Sequence, residues 1–394
     1  FDWAYEEEFD CQDGFRWSPD SKHLAYWQLD CSGVGEFYMV DNLSDPYAKL
    51  VPLQYPKAGT TNSSCRIGVI PITSGKTIWM QTPGDARETY LPRMEWHPDG
   101  LELMIQWLPR AQNHLVIFGC DVASGKVRMV HEERDAGYVD VREDFRWANG
   151  GEQFFWTSDI AFQAGAKSWR QAGTIVWDAR GKNLFVTHLP MTRGYDVMAV
   201  EHADLPSGRI LVSHCDGNAT EKALFTDGPG WQGYSDAYED GVTLKRVSPP
   251  DQRGFHDYQI STDGTLAIHT FSAFDTPPVI DLVRLPSHER VRVLVDNQRL
   301  HDRYAKIAKG PNEFFQIVTD DGHTLDGWAM YPTDFDESRK WPVVFHVYGE
   351  PWSQTVKNTW ALGHHLFHRW LTQHGYVVMS LDARGTPAPK GRDW

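Results

Sequence analysis

Three adjacent carboxylates, Glu6, Glu7 and Glu8, follow Trp3-Ala4-Tyr5 near the start of the chain. Such a run is either a solvated charged face or a receptor for an ammonium group. In the second case the carboxylates converge on one R-NH₃⁺ ion through charge-assisted hydrogen bonds, about twice as strong as neutral ones. A site of that kind would measure a peptide from its free N-terminus. Far along the chain, Tyr348 ends the apolar run Val343-Val344-Phe345-His346-Val347-Tyr348. The C-terminal ends of strands in open α/β sheets border the ligand crevice. A phenol there either caps the strand or donates to an oxyanion, and one such donor is worth about 10²–10³ in rate.

His364, His365 and His368 fall in a stretch that reads as helix around 360–374, and His364 with His368 has the i, i+4 spacing of a metal pair. There is no intervening Glu in the H-E-x-x-H sense and no obvious third ligand, so a polar helix face is the expected role and no metal is expected. A serine hydrolase of α/β architecture needs a nucleophile on a G-x-S-x-G elbow, and no such pentapeptide occurs in the chain. No G-x-x-x-x-G-K loop occurs either, so no nucleotide cofactor is expected.

The elements that must position these residues are mostly strands. The chain has 17 Trp, 15 Tyr and 19 Phe, residues that favour pleated surfaces, and long amphipathic helical patterns are scarce before about position 355. One phrase recurs: Phe15-Arg16-Trp17-Ser18-Pro19-Asp20, Met94-Glu95-Trp96-His97-Pro98-Asp99-Gly100, Phe145-Arg146-Trp147-Ala148-Asn149-Gly150 and Tyr258-Gln259-Ile260-Ser261-Thr262-Asp263-Gly264. Each reads as a strand end, a turn whose Asp-Gly or Asn-Gly supplies positive φ, and a second strand. The anchors stand 79, 51 and 113 residues apart, the last about two units, with an extra strand pair expected near Arg209-Ile210-Leu211-Val212-Ser213. A period near fifty fits four-stranded propeller blades, whose repeats run roughly 40–50 residues; a β-sandwich is the alternative. Five blade starts are visible.

After about residue 308 the pattern changes. Glu313–Val318 and Gly327–Tyr331 read as a hairpin closed by Asp320-Asp321-Gly322. Val343–Tyr348, the helical stretch and Tyr376–Asp382 then form a strand, a crossover helix and a strand, the unit of a parallel sheet. Since 394 residues exceed one comfortable core of about 250–300, two domains are expected: a partial β-propeller over 1–308 and the start of an α/β domain over 309–394. With 38 Lys+Arg against 53 Asp+Glu the net charge is −15, the wrong sign for a phosphate backbone, so no nucleic-acid partner is expected. Five scattered cysteines without a C-x-x-C pair read as mostly buried thiols.

The segments Asp2–Phe9, Phe15–Asp20 through Tyr26-Trp27, and Pro56–Asn62 resemble the propeller of dipeptidyl peptidase IV-like serine exopeptidases, of the prolyl oligopeptidase group. Trp341-Pro342-Val343-Val344, Val347-Tyr348-Gly349, Gly375–Val378 and Asp382-Ala383-Arg384-Gly385-Thr386 resemble the same family, so the likeness spans nearly the whole chain. The Trp-x-Tyr-Glu-Glu-Glu element is specific to this branch. The resemblance implies an eight-bladed propeller feeding an α/β-hydrolase domain, with the active site in the cavity between them. It further implies release of N-terminal dipeptides from peptides with Pro or Ala second. Glu7 and Glu8 would bind the free amine and Tyr348 would donate to the oxyanion. The family's carbonyl-binding Arg would lie upstream of Phe1, and its Ser, Asp and His downstream of Trp394. The chain is thus expected to be an internal piece of a longer enzyme, inactive and poorly soluble alone. A homodimeric parent and a periplasmic or secreted location are expected from the resemblance only. Glu350-Pro351-Trp352 departs from animal members, which carry a small residue before the proline; Ala4 stands where Val is common, and Ser158 to Trp169 departs from the usual blade pattern. A non-catalytic propeller binding module with a degenerate hydrolase remnant is the alternative function. An endo-acting oligopeptidase or acylaminoacyl peptidase is disfavoured, because an amine receptor is useless for blocked or internal peptides.

Overall fold

A computed structural model of the chain describes residues 2–143, 145–160, 169–176, 186–188, 196–204, 209–215, 217–226 and 244–394. Most of Ser158 to Trp169 therefore lies outside the described residues. The chain is mainly β, and five four-stranded sheets follow one another along it. In the first, β1 (Phe15–Trp17) and β2 (His23–Asp30) are followed by an inserted hairpin, β3 (Glu36–Asp41) with β4 (Lys49–Gln54), before β5 (Ser64–Pro71) and β6 (Ile78–Trp79) complete the sheet. The second holds β7 (Thr89–Trp96), β8 (Glu102–Pro109), β9 (His114–Asp121) and β10 (Val127–Arg134). The third holds β11 (Arg146–Ala148), β12 (Gln153–Ser158), β13 (Gln171–Val176) and β14 (Val186–His188). The fourth is β15 (Val197–Asp204), β16 (Arg209–His214), β17 (Ala223–Thr226) and β18 (Lys245–Arg246), and the fifth β19 (Phe255–Ile260), β20 (Leu266–Ala273), β21 (Thr276–Arg284) and β22 (Glu289–Val295). Each strand neighbours the next in chain order, with the inserted hairpin outside that order.

All four repeated phrases are hairpin turns, and β16 is the strand expected near Arg209. The long first spacing has a plain cause: β3 and β4 pair only with each other, so they lengthen the first repeat without widening its sheet. The turn chemistry also recurs. Asp20, Asp99 and Asp263 each accept the backbone N–H two residues on, from Lys22, Leu101 and Thr265, at 3.1, 2.8 and 3.1 Å. Gly100 and Gly264 then take φ of 72° and 66°, a conformation that costs a residue with Cβ. In the first phrase Ser21 fills this place at φ 59°.

By contacts the chain divides into two compact units, Phe1–Phe154 with Thr174–Val186, and Phe155–Gly173 with Thr187–Trp394. The boundary expected at residue 308 falls within the second unit. In the first unit the strands bury Trp27, Ile67, Val69, Leu103, Ile105 and Val116 in one core. Indoles stitch its repeats together: Trp96 Nε1 donates to the Arg16 carbonyl at 3.1 Å, and Trp147 Nε1 to the Trp96 carbonyl at 2.7 Å. An aromatic strand residue thus fills space and also satisfies a backbone acceptor of the preceding repeat.

In the second unit, α1 (Gln298–Ala305) leads from β22 into a mixed sheet. Its strands are β23 (Asn312–Val318), β24 (Thr324–Met330), β25 (Val343–His346) and β26 (Val377–Leu381), in the order β23-β24-β26-β25. β25 and β26 are parallel and joined through α2 (Leu362–Gln373), as the sequence pattern predicts. α1 was not expected; at eight residues it is too short to show a helical period.

The fifth sheet buries two imidazoles. His256 Nε2 faces the Gln252 carbonyl at 2.9 Å and so carries the proton, which makes its Nδ1 the acceptor of the 2.9 Å bond from His269 Nε2. Nδ1 of His269 is then a buried lone pair with no hydrogen-bond partner, so a proton placed there has no acceptor to point at. Burial holds His256 at about 4 and His269 at about 3, against an ordinary 6.5, with neighbouring cationic groups, Arg246 and His288 among them, adding to the depression. Both folded values lie below the unfolded one, so the unfolded chain takes up protons first as pH falls. The stability these groups confer is complete above pH 6.5 and is lost between pH 6.5 and about 4. Denaturant unfolding is expected to lose up to about 1.4 kcal/mol per pH unit per imidazole in that window, and a H269Q variant to show a shallower loss. A midpoint that stays constant across the window would contradict the assignment.

Candidate functional site

The acidic run forms a helical turn, Ala4–Glu8, one face of which is deeply buried. Tyr5 is 1% exposed and Phe9 5%, whereas Glu6, Glu7 and Glu8 are all exposed. Two buried groups pin the turn. Asp2 accepts the Tyr5 N–H at 3.1 Å through Oδ1 and the Ser63 hydroxyl at 2.7 Å through Oδ2, capping the first turn and tying it to the start of β5. The Tyr5 phenol accepts the Leu91 N–H at 2.9 Å, and its ring packs on Phe9 and Tyr90 with centroids 5.7 and 6.3 Å away. Asn62 donates to Tyr90 OH at 2.8 Å, extending the support to the Pro56–Asn62 segment. The apolar residues flanking the acids therefore anchor the turn in the core, and the carboxylates are held at its outer side.

Sequence reasoning missed two neighbours. Tyr138, between β10 and β11, feels the field of Glu8; burial foremost, then Asp140 and Glu8, pushes its hydroxyl up to about 12. No spacing pattern marks it. The second is a cavity of about 580 Å³ that begins two residues beyond the turn and is lined by Arg16, Glu95, Arg142 and Arg146, with Met94 and Met104 among the apolar walls. Glu7 and Glu8 are not among its lining residues. Arg16, Glu95 and Arg146 are the middle residues of three repeated phrases, so a signal was present: alternate strand residues face opposite ways, and the flanking tryptophans take the other face. The surrounding protein raises the Glu95 carboxyl, while Arg16 and Arg146 pull it back down.

Tyr348 is half-buried just beyond the C-terminal end of β25, where the strand pattern predicts it. Its OH donates to Glu350 Oε2 at 3.1 Å, which gives the departure noted at position 350 a partner. Glu7 and Glu8 share one turn in the first unit, and Tyr348 belongs to the second.

The histidines of α2 do not form the polar outer face expected of them. His364 is exposed, but His365 is 0% and His368 5% exposed. The cause is a buried charge. Arg369, 1% exposed, donates to both oxygens of Asp275 at 2.7 and 2.9 Å, and Tyr304 OH, from α1, donates to Oδ1 at 2.5 Å. His365 Nε2 joins this network 2.7 Å from Tyr304 OH. A buried guanidinium requires such a partner, so this face of α2 turns inward and leaves Leu366, Phe367 and Trp370 exposed. Among the described residues no group of three or more His, Cys, Asp or Glu has the geometry to hold a metal ion. Four of the five cysteines are buried free thiols and Cys31 is half-buried. One glycine spacing escaped the sequence reading: Gly228-Pro229-Gly230-Trp231-Gln232-Gly233 fits G-x-G-x-x-G. A dinucleotide fingerprint needs a parallel βαβ setting, and the strand before it, β17, is antiparallel to its neighbours. The six residues themselves lie outside the described ones.

The chain thus combines repeated four-stranded sheets, an exposed acidic turn on a buried base and a mixed α/β sheet. Residues 1–278 match the family described as the dipeptidyl peptidase IV (DPP IV) N-terminal region, and the chain belongs to that family. It is similar to a probable dipeptidyl-aminopeptidase B of Emericella nidulans, 25% identical over 421 residues that cover 98% of this chain and 43% of that protein. A probable dipeptidyl peptidase 4 of Neosartorya fischeri is 24% identical, with 99% of this chain and 50% of that protein covered. Among solved structures, the dipeptidyl peptidase 4 of Porphyromonas gingivalis aligns with a TM-score of 0.84 and 27% identity, over 100% of this chain and 52% of that one. The chain thus spans about half the length of these relatives.

Replacing Tyr5 by Phe is expected to destabilise the first unit by about 1–3 kcal/mol, because it leaves the buried Leu91 N–H without its acceptor. Chemical denaturation of the two proteins checks this; an unchanged midpoint would show that the phenol does not pin the turn.

Proposed function

We propose that this chain is part of a serine-type dipeptidyl peptidase that releases N-terminal X-Pro or X-Ala dipeptides. Glu7 and Glu8 receive the substrate's free amine, and Tyr348 donates to the oxyanion formed at the second peptide bond. A serine hydroxyl, deprotonated by a histidine that an acid orients, attacks that carbonyl; the amine leaves with the histidine's proton, and water then releases the dipeptide from the acyl-enzyme. In this reading residues 1–308 form part of an eight-bladed propeller, and 309–394 begin an α/β-hydrolase domain whose nucleophile, acid and histidine are supplied by sequence outside this chain. No metal or cofactor takes part. A homodimer and a periplasmic or secreted location belong to the same reading.

The observation that carries it is the pinned acidic turn. A charge run that is only solvated has no need of a buried Asp2, Ser63 and Tyr5 beneath it. Family membership and the names of the relatives agree with the reaction class. So does the uncovered side of the mixed sheet. β25 is its edge strand, with Val343 and Phe345 45% and 64% exposed, and α2 also exposes Leu366, Phe367 and Trp370. Parallel strands are normally buried on both faces, so this edge suits a sheet that continues with further strand and helix units.

In the full-length protein, Glu7→Ala or Glu8→Ala is expected to raise KM for a chromogenic Gly-Pro amide by about tenfold to a hundredfold, the worth of one charge-assisted hydrogen bond, with kcat changing less. Unchanged KM in both variants would remove the amine-receptor role. If the full-length protein releases no dipeptide at all, the non-catalytic binding module is the reading that remains. The 394-residue chain alone is expected to show no turnover of the same amide; measurable turnover would overturn its fragment status.

A further inference from the structure

Tyr348 opens a connection without regular structure that runs from β25 to α2, and hydrogen bonds to distant residues decide where this strap lies. Its middle is tied to the end of β26: Thr355 N and Oγ1 donate to Asp382 Oδ1 at 2.9 and 2.8 Å, and Val356 N to Oδ2 at 3.2 Å. Its far end is tied to the fourth and fifth sheets. Asn358 N donates to the Thr220 carbonyl at 2.7 Å, Asn358 Oδ1 accepts the Phe274 N–H at 2.9 Å, and Asn358 Nδ2 donates to Glu221 Oε1 at 3.3 Å. Glu221 is 7% exposed, and its other oxygen meets Arg253 Nε at 2.8 Å. Gln354 Nε2 adds a bond to the Ala219 carbonyl at 2.8 Å, and Thr359 Oγ1 one to Ser272 Oγ at 2.7 Å.

Asn358 uses its backbone donor, its side-chain acceptor and its side-chain donor on three residues, Thr220 and Glu221 just before β17 and Phe274 in the turn between β20 and β21. A carboxylate is acceptor-only, so the partner of Glu221 must donate, while the partner of Phe274 N–H must accept; a short amide does both. The near end of the same strap carries Glu350, which receives the Tyr348 hydroxyl. The direction of the phenol therefore depends on a strap whose position the β sheets set.

We infer that Asn358 is a positioning residue for Tyr348, through which the fourth and fifth sheets fix where the phenol stands. The inference rests on the oxyanion role proposed for Tyr348. Asn358→Asp is the discriminating variant, because it keeps the size and the acceptor but sets a carboxylate against Glu221. In the full-length protein it is expected to lower kcat on the Gly-Pro amide by about tenfold to a hundredfold, the cost of a misplacement near 1 Å, with KM within about twofold. Glu221→Gln added to it restores a donor facing Asp at 358 and is expected to recover much of the lost kcat. The double variant Y348F/N358D is expected to be no slower than Y348F, since nothing is left to position. Hydrogen exchange is expected to rise across 349–357 in N358D. An additive double variant, a loss confined to KM, failed rescue by E221Q, or unchanged exchange in the strap would each overturn the inference while leaving the Tyr348 role intact. An undiminished kcat in Y348F would instead remove the oxyanion role, and this inference with it.

Discussion

Adjacent carboxylates repel one another, and a turn that carries three of them holds one conformation only if something beneath it is fixed. Here that something is a pair of buried hydrogen bonds to Asp2 and one to the Tyr5 phenol. The bonds cost little to keep, because each donor is a backbone or hydroxyl group that would otherwise be orphaned in the core. They hold Glu6 to Glu8 in water and on one turn. An ammonium receptor needs carboxylates that are exposed enough to meet the cation and held so that binding costs little ordering entropy.

The repeats supply the rigid base. The first, second and fifth sheets each bring a hairpin closed by a side chain that caps its own turn, Asp20, Asp99 and Asp263. In the first unit the tryptophans of the recurrent phrase reach back to the carbonyls of the preceding repeat, at Arg16 and Trp96. The middle residues of the same phrases, Arg16, Glu95 and Arg146, turn the other way and line a charged cavity. One short sequence pattern thus does two jobs, because a strand alternates its faces. In the second unit the work is done by buried charge: Asp275 gathers Arg369, Tyr304 and Asn312 around one carboxylate and so orders both helices and the start of β23.

Much of this was legible in the residues. The hairpin phrases, the strand near Arg209, the β-α-β unit and the place of Tyr348 at a strand end all follow from periodicity and turn chemistry, which are local. What escaped was set by contacts between residues distant in the chain. The inserted β3–β4 hairpin looks like any other strand pair until its pairing is known. α1 is too short to declare itself, and its role lies in one phenol, Tyr304. The histidines of α2 look polar on a helical wheel, yet Asp275, some ninety positions earlier, draws that face inward. The support beneath the acidic run was invisible for the same reason: Ser63 and Leu91 are distant in sequence and carry no motif.

The role proposed for the turn at Glu7 and Glu8 is recognition of a free amino terminus. The most direct measurement is a comparison of kcat/KM, in the full-length protein, for two peptides of identical sequence with proline second, one with a free amine and one acetylated. The free peptide is expected to be cleaved after the proline, and the acetylated one slower by at least about a hundredfold, as for loss of two charge-assisted bonds. Equal cleavage of both would contradict it.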